Sequence, residues 1–539
     1  MLYFSVFLTA LFTSMVLVTA MMRLAPRLGL VDRPDPRKVH ATVIPRVGGI
    51  GITVGALAAP LLWLELDRDT WLLLGGMATV ALLALLDDRW NLHYRIKFAG
   101  QLAAALVVVI PGSVLIDRLS FFGQTSLPYP VSAPLTVLFL MGMTNATNLS
   151  DGLDGLAAGL SILSLSCLMV LASMAAGAAL FIAVALAVIG ATLGFLRYNT
   201  HPAMVFMGDC GSQFLGFSLG ALSIWLSQRV NTAIAPELPL LILGLPIIDT
   251  VTVMVQRILA GRSPFLPDRS HFHHKLLELG FDHYQVVVVI YAIQGGLVTA
   301  SYFFRYQSAP LILGFDLSLA LLAAVAFPVA RRRGWRLTPP APGGLSRFSQ
   351  TILRSTTPLL NLVYYAVCAM IGAYLLAAAT ISGSLAREIL SLCAAISVFA
   401  ILCRVLRLSL AIVMLRLTLY TCALLATYAA NIEAGVTRYL DPDWHNVYFA
   451  ALVLLIAVGV RFSDRSHFRL TPSDYLMVVA LLLAGNLPFL QDPRYSQLAM
   501  EAAVTLYGVE YALNRESVGK DLLLGIAVTT FAVIGVNTA

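Results

Sequence analysis

Residues 131–155 read VSAPLTVLFLMGMTNATNLSDGLDG. The first sixteen carry no charge, and the run then opens into two amides and two carboxylates three residues apart: Asn145, Asn148, Asp151 and Asp154, with Gly152 and Gly155 among them. An uncharged stretch like this crosses a membrane as a helix, since about 20 residues span roughly 30 Å of hydrocarbon. On a helical turn the three-residue spacing aligns the amides and carboxylates on one face. The glycines allow backbone to approach a ligand closely. A calcium loop would need ligands at alternating positions and a Glu at the twelfth, and both are missing.

Similar apolar runs lie near residues 2–22, 47–66, 71–86, 98–116, 156–176, 178–196, 213–228, 237–256, 285–304 and 309–330, so about eleven spans precede residue 331. The 539-residue chain is 59% hydrophobic and 12% charged, with mean hydropathy +0.84. A soluble domain carries about 25% charged residues, so the reading is an all-α polytopic membrane protein. Period-two alternation is scarce, which argues against a β-barrel. The first run lacks a basic n-region and an A-x-A site and reads as a retained helix rather than a signal peptide.

The net charge of +7 reflects topology rather than nucleic-acid binding. Loops after odd-numbered spans hold 20 Lys and Arg, whereas those after even-numbered spans hold four, Arg68, Arg118, Arg229 and Arg305. The positive-inside rule then puts the odd loops in the cytoplasm. All five polar clusters of this part fall there: residues 37–46, 87–101, 145–155, 197–212 and 257–274. Clusters spread along the chain can thus share one site at one membrane face. Five of the six cysteines lie in or beside apolar runs, Cys210 lies on the cytoplasmic side, and no CxxC occurs. That pattern argues against disulfides and cysteine-bound zinc.

Each cluster has a chemistry. Asp87 and Asp88 close the third span, with Lys97 and Gln101 at the mouth of the fourth; adjacent carboxylates need a cation to offset their repulsion. They read as a base or metal-shell pair, with Lys97 as a phosphate ligand. Phe206-Met-Gly-Asp209-Cys-Gly-Ser212 presents one carboxylate between glycines, which suits Mg²⁺ shared with substrate phosphates. Ser212 is expected to cap the following helix, and Asn199 and Asn148 to complete the metal shell. Phe206 reads as packing or as an aromatic face for a base. Arg257, Arg262, Arg269, His271, His273 and His274 crowd the ninth loop. Neighbouring His273 and His274 are expected to point apart, which opposes zinc, and arginine forks favour diphosphate.

Arg331-Arg332-Arg333 and Pro339-Pro340-Ala341-Pro342-Gly343-Gly344 form a basic, Pro/Gly-rich connector. The expected division is a catalytic part over 1–333, a connector over 334–356 and an additional membrane domain over 357–539. About seven more spans follow, near 357–381, 388–403, 408–430, 446–460, 474–490, 497–512 and 521–538. Arg416 stands inside one of them, Glu501 and Glu510 mark another as a weaker span, and residues 441–445 read as a solvated outer loop.

These segments together resemble the polyprenyl-phosphate N-acetylhexosamine-1-phosphate transferases. The matching residues are Asp32-Arg-Pro with Arg37-Lys38-Val-His40 and Pro45-Arg46-Val-Gly48-Gly49; Asp87-Asp88 with Lys97; Asn145-x-x-Asn148-x-x-Asp151-Gly-x-Asp154-Gly; Phe206-Met-Gly-Asp209; and Pro264-Phe-x-Pro-Asp268-Arg269-x-His271-x-His273-His274. The likeness covers about residues 1–330 and nothing beyond. It implies transfer of a sugar-1-phosphate from a UDP-N-acetylhexosamine, UDP-GlcNAc by the histidine block, to polyprenyl (undecaprenyl) phosphate. UMP would be released and a surface glycan begun, of the cell-wall or lipopolysaccharide O-antigen kind, at the inner membrane. It implies Mg²⁺, or Mn²⁺ in its place, on Asp209. Asp87 would act on the acceptor phosphate with Asp88 beside it, and Lys97, Arg262, Arg269, His271, His273 and His274 would hold phosphates. Asp151, Asp154 and Phe206 would face the uridine and sugar, with Lys38, His40, Arg46, Asn145, Asn148 and Asn199 as further substrate contacts. A homodimer and later glycan-assembly proteins, engaged through the C-terminal part, complete the expected partners. The rival readings are a MurNAc-pentapeptide phosphotransferase and a transporter or assembly scaffold. Charges gathered at one face rather than at mid-membrane, without an inverted repeat, count against transport.

Overall fold

The computed structural model describes residues 2–33, 43–120, 126–263, 271–337, 346–381, 387–406, 411–428, 442–462, 493–514 and 519–538. Lys38, His40, Arg269, residues 264–268 and the expected span at 474–490 lie outside them. The described residues are almost wholly helical, and their sheet is one antiparallel pair, β1 (Val31–Asp32) with β2 (Ile44–Pro45), in register Val31 to Pro45. The chain divides into two compact units, one of Met1–Pro339 and one of Pro340–Leu470 with Ala480–Ala539.

In the first unit every apolar run carries helix: α1 (Leu2–Leu28), α2 (Gly48–Trp63), α3 (Arg68–Trp90), α4 (Tyr94–Val109), α5 (Tyr129–Ser150), α6 (Leu156–Ser173), α7 (Ala179–Asn199) and α8 (Gly208–Trp225). After them come α9 (Leu238–Ile242), α10 (Gly244–Leu259), the short α11 (Phe272–Glu278), α12 (His283–Phe304) and α13 (Ala309–Arg332). Six of these are long and apolar enough to span a membrane, with shorter apolar helices such as Gly48–Trp63 beside them. The protein is therefore a multi-pass helical membrane protein.

Local chemistry sets the helix ends. The Asp67 side chain accepts the Thr70 N–H at 2.8 Å and starts α3, and Asn91 ends it in the left-handed region at φ 50°. The helix thus runs past the apolar stretch, and Asp87 and Asp88 stand on its last turn rather than in a loop. The ninth apolar run is two helices, α9 and α10, because the chain breaks at Leu243, just ahead of Gly244 and Pro246. A break in hydrocarbon leaves carbonyls without helical partners. Here the Ile242 carbonyl accepts from Gln294 at 2.8 Å and from Ser164 at 3.1 Å.

Helix α8 is the centre of the first unit, packed against α2, α3, α5 and α6 and buried continuously from Cys210 to Ile224. A helix apolar on every side needs neighbours on every side, and small residues let them close in. At the α2–α8 crossing a Cβ on Gly49 would stand 2.2 Å from the Gly211 nitrogen.

The second unit comprises α14 (Ser346–Ile381), α15 (Arg387–Val405), α16 (Ala411–Tyr428), α17 (Pro442–Phe462), α18 (Pro493–Asn514) and α19 (Gly519–Thr538). Helix α14 starts inside the stretch expected to be connector, and its membrane-length apolar portion is Asn361–Thr380. The stretch read as an outer loop is helical from Pro442, and His445 is buried rather than solvated, with Nε2 at 2.6 Å from Glu501. Tyr374 donates to the same carboxylate at 3.0 Å. Arg416 does not snorkel outward: its guanidinium lies 3.5 Å from Glu510, which Tyr420 also meets. The polar residues that weakened α18 as a span are thus partnered inside this unit.

The Gly49–Gly211 contact predicts that Gly49→Val forces α2 and α8 apart. Overpacking of this kind costs about 1–3 kcal/mol. The variant should melt at lower temperature in detergent and lose activity with it; a wild-type melting curve would mean that the crossing is loose.

Candidate active site

Four helix termini deliver the chemistry. The C-termini of α3 and α5 and the N-termini of α4 and α8 carry Asp87, Asn148, Lys97 and Asp209 respectively. Lys97 lies between two carboxylates, with Nζ at 2.5 Å from Asp87 and 3.3 Å from Asp209. The Asp87 carboxylate is buried and also accepts the Leu92 N–H at 2.7 Å. Beneath them an amide network joins three helices: Asn145 donates to Gln101 at 2.7 Å, and Gln101 donates to Gln213 at 3.1 Å.

Asp88 turns away from Lys97 and serves α8. Its two oxygens accept the N–H groups of Asp209 and Cys210, each at 2.9 Å. This is capping from a different helix, and it satisfies donors that the first turn leaves open. Gly208 makes room for it: φ is +68°, and a Cβ there would stand 2.6 Å from an Asp88 oxygen. The expected cap, Ser212, lies inside α8 instead, where its hydroxyl donates to Asn148 at 2.7 Å. The adjacent carboxylates therefore have separate tasks, one at the ammonium and one at the helix end.

The face shared by Asn145 and Asn148 ends with α5 at Ser150, so Asp151 and Asp154 stand in the following turn and not on the same helical face. The Asp154 carboxylate meets His201 at 2.7 Å and the Ala203 N–H at 3.1 Å. Asn199 is a brace: its oxygen accepts the Gly155 N–H at 2.8 Å and its nitrogen donates to the Val205 carbonyl at 2.8 Å. Both ends of the amide are thereby engaged with backbone, which argues against a place in a metal shell. Tyr291, from α12, donates to the Gly155 carbonyl at 2.7 Å.

The 45–49 segment joins the site through backbone. Phe206 donates to Pro45 at 2.8 Å, and Gly48 and Gly49 donate to Phe206 and Met207 at 3.0 and 2.9 Å. The half-buried Phe206 is held by these bonds, and Arg46 pairs with Asp32 at 2.5 Å. In the ninth loop Arg257 is buried and Arg262 exposed. His271 is held by Asp249, whose oxygens meet its Nδ1 at 3.0 Å and the Phe272 N–H at 2.9 Å. His273 packs over Gly152, and burial together with the neighbouring imidazoles pushes its pKa down to about 3. His273 and His274 do not point apart; their rings lie 4.2 Å centroid to centroid on α11. Gln213, Asp249, His201, His283 and Tyr291 were not found by sequence reasoning. Only Asp249, a lone carboxylate in an apolar run, carried a signal of its own.

The electrostatics call for a cation. Burial, reinforced by Asp87 and Asp88 and opposed by Lys97, pushes the Asp209 carboxyl up to about 7. Burial with the charges of Asp209, Asp154 and Asp88 pushes Asp151 up to about 7 as well. Asp154 goes the other way: burial acts to raise it, but His201, His283 and the Ala203 N–H hold it below the usual carboxylate range. Four carboxylates thus crowd around Lys97 and the nearby Arg46 guanidinium. That surplus of anionic oxygen, with amide oxygens alongside, fits a hard divalent cation such as Mg²⁺.

Comparison with known proteins agrees with this geometry. Residues 70–227 match the family model described as glycosyl transferase family 4. A probable undecaprenyl-phosphate N-acetylglucosaminyl 1-phosphate transferase of Bacillus subtilis (strain 168) is 40% identical over 295 residues, covering 53% of this chain and 80% of the relative. A decaprenyl-phosphate N-acetylglucosaminephosphotransferase of Mycobacterium leprae is 36% identical over 346 residues, 58% of this chain and 86% of the relative. An undecaprenyl-phosphate alpha-N-acetylglucosaminyl 1-phosphate transferase of Escherichia coli (strain K12) is 33% identical over 290 residues, 52% of this chain and 77% of the relative. With its carboxylates gathered at one set of helix ends and most of each relative's length matched, the chain belongs to glycosyl transferase family 4, among the polyprenyl-phosphate N-acetylhexosamine-1-phosphate transferases.

Proposed function

We propose that this protein transfers N-acetylglucosamine-1-phosphate from UDP-GlcNAc to a polyprenyl phosphate, releasing UMP, at the cytoplasmic face of the inner membrane. The observation that carries the reading is the Asp87–Lys97–Asp209 constellation at the ends of α3, α4 and α8. The excess of Lys and Arg in the loops on that side supports the cytoplasmic assignment. The product, a polyprenyl-diphosphate sugar, would start a surface glycan.

The net exchange forms a bond from an acceptor-phosphate oxygen to the sugar-bearing phosphorus and breaks the bond from that phosphorus to the uridylate oxygen. Such a reaction asks the protein mainly for positioning and charge neutralisation. Asp87, held by Lys97 and the Leu92 N–H, is the carboxylate for orienting or deprotonating the lipid phosphate. Lys97 has three donors and can turn from the carboxylates to phosphate oxygens. Asp88 fixes the first turn of α8 and with it the direction of Asp209. Mg²⁺ held by Asp209 would neutralise the donor diphosphate. The apolar helices around these termini give an isoprenoid tail a medium at the depth of its phosphate.

Asp209→Asn tests the metal assignment. UMP release from UDP-GlcNAc with added polyprenyl phosphate should fall at least about a hundredfold, each tenfold being about 1.4 kcal/mol of barrier. Near-normal rates at limiting Mg²⁺ would refute it. Asp87→Ala should lose kcat even at saturating donor and metal, whereas Lys97→Ala should raise KM as well as lower kcat/KM. Wild-type kinetics in either variant would remove that residue from the reaction.

A chain ending at Pro339 keeps all of these residues. It should release UMP at a rate within about tenfold of the full chain, a difference below about 1.4 kcal/mol. A monodisperse but inactive truncation would show that the second unit contributes to catalysis. Its role would then extend beyond engagement of later glycan-assembly proteins.

A further inference from the structure

Three side chains from separate segments converge beside the candidate active site. Asp154 follows α5, His201 follows α7, and His283 opens α12. Asp154 Oδ2 lies 2.7 Å from His201 Nδ1 and 3.9 Å from His283 Nε2. One ligand atom from each of the three lies within 4.8 Å of the others. The two imidazoles are stacked, with centroids 4.1 Å apart and planes 23° apart. His283 Nε2 accepts the Asp154 N–H at 3.1 Å, so a lone pair, not a proton, faces the cluster.

We propose that Asp154, His201 and His283 bind a transition-metal dication of the Zn²⁺ class. Two imidazole nitrogens and one carboxylate oxygen are the ligand set of an open, four-coordinate zinc site, with water in the remaining position. Ligand atoms around such an ion sit about 3.4 Å apart, so His201 would open and His283 would close by roughly 0.5–0.7 Å. The ion would replace the Asp154 N–H as the partner of the His283 lone pair. His201 is largely exposed, which gives the ion a route from solvent. Mg²⁺ prefers an all-oxygen shell and is a poor competitor here.

The site differs from the cluster around Asp209. It also differs from the histidine run of the ninth loop, where His271 is turned to Asp249 and His273 lies over Gly152. Its consequence is mechanical. One ion would tie the turn after α5, the loop before α8 and the start of α12, the same segments that Asn199 and Tyr291 brace at Gly155. The turn that carries Asp151 would be stiffened without the ion touching the reacting phosphates.

The test uses the full chain, freed of any purification tag, stripped with chelator and kept in excess Mg²⁺. Cobalt(II) serves as the spectroscopic probe and Zn²⁺ as its competitor. One equivalent of Co²⁺ should bind with visible absorption typical of imidazole ligation, be displaced by Zn²⁺, and persist in Asp209→Asn. His201→Asn and His283→Gln can keep the hydrogen bonds made by Nδ1 and Nε2 but remove the imidazole ligands. Each should weaken Co²⁺ binding by more than about tenfold, the least effect that outer-shell changes alone produce. The proposal is overturned if the wild-type protein retains no Co²⁺ in Mg²⁺, or if both variants bind as the wild type does. Should either variant fail to fold, X-ray absorption of zinc bound to the wild-type protein decides. Two imidazoles in the shell are expected, and an all-oxygen shell overturns the proposal. These readouts are independent of sugar-phosphate transfer, so failure here leaves the proposed reaction standing.

Discussion

The carboxylate of Asp88 takes two backbone N–H groups at the start of α8, and the site is organised around that contact. The first turn of a helix has unsatisfied donors and a partial positive charge. A carboxylate there is stabilised, and it binds the end of α3 to the end of α8. Asp209 begins the same turn, so its side chain is directed by the contact toward Lys97. Gly208 is the local condition for it, since its positive φ and missing side chain admit Asp88. Without that glycine the two termini could not close, and the carboxylates would have no fixed relation to one another.

The membrane supplies the second constraint. In hydrocarbon every backbone group needs an internal partner, so deviations from helix are confined to places where side chains meet the freed carbonyls. Gln294 and Ser164 do this at the α9–α10 break. Crowded acidic residues are tolerated only at helix ends, where ammonium, guanidinium and backbone N–H groups reach them. A binding site for a lipid phosphate must lie at the same depth. The polar chemistry and the acceptor therefore share one plane for the same physical reason.

The second unit solves a similar problem with different residues. Glu501 is fully buried and partnered by His445, Tyr374 and Gln497, the last at 2.8 Å, while Glu510 faces Arg416. A buried acid with one partner removed is costly, so these networks bind α14, α16, α17 and α18 into a common unit. The stretch read as a solvated loop is part of this packing because His445, at its end, supplies a partner that Glu501 needs.

Much was legible in the sequence because its cause is local. Apolar runs imply helices, the bias of Lys and Arg implies sidedness, and the carboxylates at Asp87, Asp151 and Asp209 stand out against an uncharged background. Their assignment to one face needed only the parity of the spans. What each group does there required neighbours far along the chain. Asp87 and Asp88 are identical and adjacent in sequence, yet one meets Lys97 and the other caps α8. Asn199 has the look of a ligand, and backbone groups engage both ends of its amide. His201 and His283 gave no sequence signal because their relation to Asp154 exists only after α5, α7 and α12 have packed. The sequence by itself determined which residues reach the membrane face and carry charge. The tertiary structure alone decided which oxygen meets which donor, because hydrogen bonds act over about 3 Å and such distances are set by packing between helices, not by spacing along one.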